Sequence, residues 1–169
     1  GVELTIQVFP TGATDPAIET TTTLEADASY TVAAIGGANG WELMFKPMVD
    51  QTDPADSGAL VRIGHLAPFA DAATPGSTAV DICTDDGSIV PGLEGIEYPA
   101  VTDYLNLPAG VYDLTISLAG THCETDALDL PSLTLSDGDI IDVFAIGLLP
   151  DDANFPLQPA TTTGLPLTP

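Results

Sequence analysis

Positive charge is almost missing from this chain. Lys46 and Arg62 are its two bases against 25 acids, for a formal net charge of −23. Such a surface repels a phosphate backbone, which excludes nucleic acid as a partner, and it disfavours anionic membrane surfaces for the same reason. Cations, basic proteins and water remain. An acidic surface also keeps a protein soluble in salty surroundings, where charges are screened over roughly 8 Å. Cysteine is equally scarce. Cys83 and Cys123 are the two present, and without CxxC spacing they suit one disulfide better than a metal site, with two buried thiols as the alternative. A bond between them implies an oxidising compartment and closes a loop worth roughly 4 kcal/mol on the chain-entropy model. No run reaches the ~18 apolar residues that a membrane-spanning helix needs. A basic leader is missing too: the sequence opens Gly1-Val2-Glu3-Leu4, which reads as a processed product or as part of a longer one.

Catalytic patterns are also lacking. The sequence contains no GxSxG, SxxK or HExxH, and its two histidines and two bases leave little from which to build a triad or an anion clamp. Carboxylate pairs of the glycosidase kind are not excluded by number, but most acids fall in turns. The expectation is a protein that is not an enzyme. His65 reads as a half-buried imidazole at a strand end rather than a ligand or base, and His122 as an exposed neighbour of a half-cystine rather than a metal partner of Cys123.

What the chain has is turn formers and β-branched residues. Among 169 residues there are 16 Gly and 15 Pro, and 44% are hydrophobic; this mixture suits many short strands joined by turns. The length fits one large domain or two small ones. Period-two alternation places strands at 3–9, 17–24, 29–36, 41–47, 59–66, 78–84, 96–107, 110–119, 128–135, 139–148 and 154–158. No segment has a helical period. The fold class is therefore all-β, and the strand spacing points to immunoglobulin-like Greek-key sandwiches.

The strands repeat. Gly1-Val2-Glu3-Leu4-Thr5-Ile6 matches Gly110-Val111-Tyr112-Asp113-Leu114-Thr115-Ile116 with one residue dropped. Thr23-Leu24 matches Thr134-Leu135, and Tyr30–Gly36 matches Ile141–Gly147. Phe45-Lys46-Pro47 then lies over Leu157-Gln158-Pro159. Nothing before Gly1 corresponds to the stretch from Leu60 to Ala109. The chain thus reads as one and a half tandem repeats: residues 1–57 are the C-terminal half of a first sandwich plus a linker, and residues 58–169 are a complete second sandwich with a Pro/Thr-rich tail. An isolated half-sandwich exposes an apolar face and unpaired edges. Val2, Leu4, Ile6 and Val8 need a partner sheet, supplied by residues outside this sequence, by the complete repeat, or by strand addition from another subunit.

At Val61-Arg62-Ile63-Gly64-His65-Leu66-Ala67-Pro68, Ala79-Val80-Asp81-Ile82-Cys83 and Val101–Tyr112 the sequence resembles the bacterial and archaeal envelope modules of domain-of-unknown-function family 4397. Leu133-Thr134-Leu135 and Val143–Gly147 resemble that family's closing strands. The likeness covers 59–150, and its second half covers 1–50 again. Phe69 stands where the family's opening motif has Asp, and Cys83 replaces an aromatic or aliphatic residue. The resemblance implies a secreted β-sandwich, often in tandem, and carries over no catalytic residue.

Several further features bear on function. Oxygen-rich turns containing Asp85 and Asp86, Asp137 and Asp139, and Asp151 and Asp152 are weak calcium candidates against a reading as solvated turns; no other cofactor is indicated. Trp41, after the Gly-rich run Gly36–Gly40, could stack on a sugar, plug a neighbouring subunit or cap its own core. The tail carries Leu165 and Leu167 and reads as a disordered end or as an arm laid on another subunit. Together these point to a self-associating structural subunit of an extracellular or cell-surface assembly, possible as a filament held by strand exchange. The alternative is an envelope-displayed binding or adhesion module for a glycan or a basic protein, with or without calcium.

Overall fold

The computed structural model describes residues 1–68, 78–148 and 155–163. Among these the chain is all-β: β1 (Val2–Val8), β2 (Ile18–Leu24), β3 (Ser29–Ile35), β4 (Met44–Asp50), β5 (Ala59–His65), β6 (Val80–Thr84), β7 (Leu105–Leu107), β8 (Gly110–Tyr112), β9 (Leu114–Leu118), β10 (Asp126–Asp129), β11 (Leu133–Leu135), β12 (Ile140–Ile146) and β13 (Gln158–Thr163).

The first four strands make two separate antiparallel hairpins, β1–β2 and β3–β4. In β1 strict alternation puts Val2, Leu4, Ile6 and Val8 on one face. Their partners Leu24, Thr22, Thr20 and Ile18 share that face. The opposite face is polar, with Thr5 hydrogen-bonded to Thr21 and Gln7 to Glu19. The β3–β4 turn depends on Gly36 at φ 84°: a Cβ there would sit 2.0 Å from the carbonyl oxygen of Glu42. That turn occupies the residues up to Leu43, so β4 begins three residues later than the alternation suggests and runs on through Val49 and Asp50 into the expected linker.

The C-terminal part is a sandwich. One sheet has the order β13-β12-β5-β7, with β5 and β12 parallel; facing it is β10-β9-β6. Val61 and Ile63 of β5, Val80 and Ile82 of β6, Leu114 and Ile116 of β9, and Ile141 and Ala145 of β12 form its core. The β5–β12 sheet is buried on its other face as well. There Arg62, Gly64, Asp142 and Phe144 point at the β3–β4 hairpin, and Phe144 clusters with Ile35, Met48, Leu66 and Tyr98. Two-sided burial explains why β5 is almost continuously buried rather than alternating. Gly64 is required by this packing, because a Cβ would lie 2.5 Å from the Phe144 ring.

The structure revises several strand limits. Asp113 divides the expected 110–119 strand into β8 and β9, and Pro131 divides 128–135 into β10 and β11; proline cannot donate to a ladder. Of 96–107, regular pairing survives at Leu105–Leu107, with single bridges at Ile96 and Val101 around a cis Tyr98–Pro99 bond. The last strand is Gln158–Thr163, not 154–158. The hairpin alignment also moves. Ala34 pairs with Phe45 and its counterpart Ala145 with Pro159, so Phe45 rather than Pro47 lies over Pro159. The two-residue slip keeps every side chain on its face.

Candidate functional site

Arg62 is the structural link between the hairpins and the sandwich. Its Nε and Nη2 donate to the two carboxylate oxygens of Asp142 on β12 at 2.9 and 2.6 Å. Nη2 also donates to Asp50 at 2.7 Å, and Nη1 to the Val49 carbonyl at 2.9 Å, both on β4. The guanidinium lies 4.8 Å from the Tyr104 ring centre, and the Tyr104 hydroxyl donates to Asp142 at 2.8 Å. Thr162 of β13 donates to Asp142, and Thr31 of β3 to Asp50. Burial by itself would lower the Arg62 pKa, but the bonds to Asp142 and Asp50 outweigh it and the pKa is raised. Burial first, then Asp142, pushes the Tyr104 phenol up to about 12. This arrangement holds geometry: four of the five guanidinium donors are bound by Asp142, Asp50 and the Val49 carbonyl. Neither Asp50 nor Asp142 stands out in the sequence. The available signal was Arg62 itself, a lone cation in an apolar strand, which must find a carboxylate.

Trp41 flanks the same joint. It packs on the Ile35–Met48–Phe144 cluster and meets Tyr98 edge-on, with ring centres 4.8 Å apart. It therefore caps the interface between hairpin and sandwich from the β3–β4 turn. An open cleft of about 290 Å³ lies beside it, lined in part by Glu42 and Pro99.

The expected interaction residues of β1 are on the surface. Val2 is 62% and Leu4 43% exposed, with Ile6 half-buried. In the aligned positions of the sandwich, Leu114 is 8% and Ile116 5% exposed. The β3–β4 hairpin repeats the contrast: Val32 and Ala34 are exposed, whereas their counterparts are Val143, packed against the core, and Ala145 within it. The difference has one structural source. In the sandwich β12 is flanked by β13 and β5, and β9 by β10 and β6; among the described residues β3 pairs with β4 alone and β1 with β2 alone. Leu165 and Leu167 lie outside the described residues.

A disulfide joins Cys83 of β6 to Cys123, tying the core sheet to the β9–β10 turn. His122 beside it is exposed, and His65 is buried with Nε2 2.6 Å from the Thr78 carbonyl oxygen; burial lowers the His65 pKa. Three of the turn acids already accept hydrogen bonds from the protein. Asp86 accepts from the Thr84 hydroxyl and the Ser88 amide, Asp137 from the Gly58 amide and Asp139 from the Ser136 amide. Among the described residues no three His, Cys, Asp or Glu side chains converge as a metal group would require; Asp151 and Asp152 lie outside them.

No sequence signal announces the last feature, a cavity of about 520 Å³ between the two sheets of the sandwich. Val61, Ile63, Val80, Ile82, Leu114 and Ile116 line its interior.

A family model described as Domain of unknown function (DUF4397) matches the chain twice, over residues 2–74 and 71–167. No curated protein matches it. Among the described residues no helix is long and apolar enough to cross a membrane.

Proposed function

The chain belongs to the DUF4397 family, and from that premise we propose that it is a non-catalytic structural subunit of an extracellular or cell-surface assembly, in which residues 1–57 are a half-repeat completed by strands from a neighbouring subunit. The observation that carries this reading is the contrast between Leu4, 43% exposed, and its counterpart Leu114, 8% exposed. The same sequence pattern is a core in one place and an open face in the other.

The missing complement has a definite chemistry. In the sandwich, the faces equivalent to Leu4-Ile6 and Val32-Ala34 are covered by Val61-x-Ile63 and Val80-x-Ile82. The occupant is therefore an extended segment with alternating aliphatic residues, added along the free edges of β1 and β3. The tail with Leu165 and Leu167 is the donor that the sequence offers. Donor and acceptor on different segments of one chain make a heterologous contact, which propagates into filaments unless it closes. The disulfide fits an oxidising compartment, in keeping with secretion.

Negative-stain electron microscopy of native material, with intact mass on the same sample, tests the reading. Filaments are expected, and their loss on Val32→Asp. Discrete particles carrying an extra half-repeat of mass would place the complementing strands in the same chain and end the filament model.

A further inference from the structure

We propose that the cavity between the sheets of the C-terminal sandwich is a binding site for a neutral, mainly aliphatic molecule such as a long-chain alcohol. Volume and lining carry the inference. The cavity measures about 520 Å³, within the range of small-molecule sites and more than three times the ~150 Å³ that holds benzene in a dry protein interior. Its depth is marked by fully buried aliphatic residues, Val61 and Val80 at 1% exposure. Its opening is marked by lining residues that are exposed, Ser88 and Ser132 on one side and Thr161 on the other. Water is a poor tenant, because a buried water needs two to four polar partners and the walls between those rims are mainly apolar, with His65 and Tyr112 the exceptions to an otherwise aliphatic lining.

The rim decides the head group. It offers hydroxyls and negative charge: Asp86 sits against the Ser88 amide, and Asp113 accepts a hydrogen bond from Ser132. Neither base of the chain reaches it. Arg62 points to the opposite face of β5 and is bound by Asp142 and Asp50, and Lys46 is on β4. A carboxylate or phosphate head would meet like charge with no cation to offset it. A hydroxyl head can bond to the rim serines and threonine. The site is independent of the half-repeat and of strand exchange.

The experiment compares dodecanol with dodecanoate at pH 8 on the full chain, using displacement of Nile red and native mass spectrometry. One saturable dodecanol per chain is expected, with dodecanoate at least tenfold weaker. Thr161→Trp, at an exposed position on β13, should block the mouth and abolish binding while the unfolding transition stays cooperative. Ser88→Lys should bring dodecanoate up to the level of dodecanol. Absence of saturable binding by either chain would overturn the proposal, as would equal binding of both that Thr161→Trp leaves intact.

Discussion

At the residue scale the structure rests on two groups whose burial is unusual, Arg62 and His65. Removing Arg62 strands Asp142, which is 5% exposed, among the donors that remain. Breaking a buried pair from one side costs about 3–5 kcal/mol. Arg62→Ala should therefore lower the urea-unfolding free energy by about that much. Arg62→Lys should also lose a substantial part, because an ammonium cannot reproduce the fork that reaches both oxygens of Asp142. Replacing both partners, Arg62→Met with Asp142→Leu, should recover much of the loss. His65 makes stability depend on pH. Its folded pKa lies below the ordinary 6.5 because burial disfavours the charged ring. Below pH 6.5 the unfolded chain takes up a proton that the folded chain refuses, so stability falls as pH drops from 6.5 toward the folded value. Denaturant titrations between pH 7.5 and 5.5 should show that slope, and His65→Gln should flatten it. An unchanged slope in His65→Gln would assign it to the carboxylates. Tyr104 acts at the other end: with its pKa near 12, stability should decline as pH rises above about 10, where the unfolded phenol ionises first.

At the element scale the strands were largely legible, and the reason is visible in β1. Val2, Leu4, Ile6 and Val8 alternate with polar residues, and alternation reports which face of a strand is apolar. What alternation does not report is what covers the face. Leu4 and Leu114 carry the same local pattern, yet one is exposed and the other is core. Strand ends were less legible where one proline or aspartate interrupts pairing, as at Pro131 and Asp113. The Arg62 joint was illegible because its partners, Asp50 and Asp142, lie 12 and 80 residues away. The exposed hairpin faces make a sharp expectation. Leu4→Asp and Val32→Asp should each change stability by no more than about 0.5 kcal/mol, as surface substitutions do, while preventing association. A large loss of stability in the isolated chain would mean that these faces are already covered. The disulfide is the opposite case. Cys83→Ser with Cys123→Ser opens a loop spanning 40 residues and should cost roughly 4 kcal/mol on the chain-entropy model, read as a lowered urea midpoint with the hairpin register untouched.

At the scale of the whole molecule, two properties act against each other. Apolar faces on both N-terminal hairpins favour contact with another chain, whereas a net charge of −23 opposes bringing two copies together. The balance depends on ionic strength, because charges interact over roughly 30 Å at 0.01 M salt but roughly 3 Å at 1 M. Self-association should therefore be weak at about 0.01 M NaCl and rise steeply toward about 0.5 M. Val32→Asp should remain dispersed throughout, because it removes the apolar contact that screening exposes. Light scattering across a salt series checks both statements. Calcium chloride separates screening from binding in the same experiment. If the acidic turns at Asp85, Asp86, Asp137 and Asp139 hold no ion, calcium at matched ionic strength should do what sodium does. A response at calcium concentrations too low to screen would instead assign an ion to those turns, and its loss in Asp137→Asn or Asp86→Asn would say which one. Association that ignores salt, or that survives Val32→Asp, would move the contact away from the hairpin faces altogether.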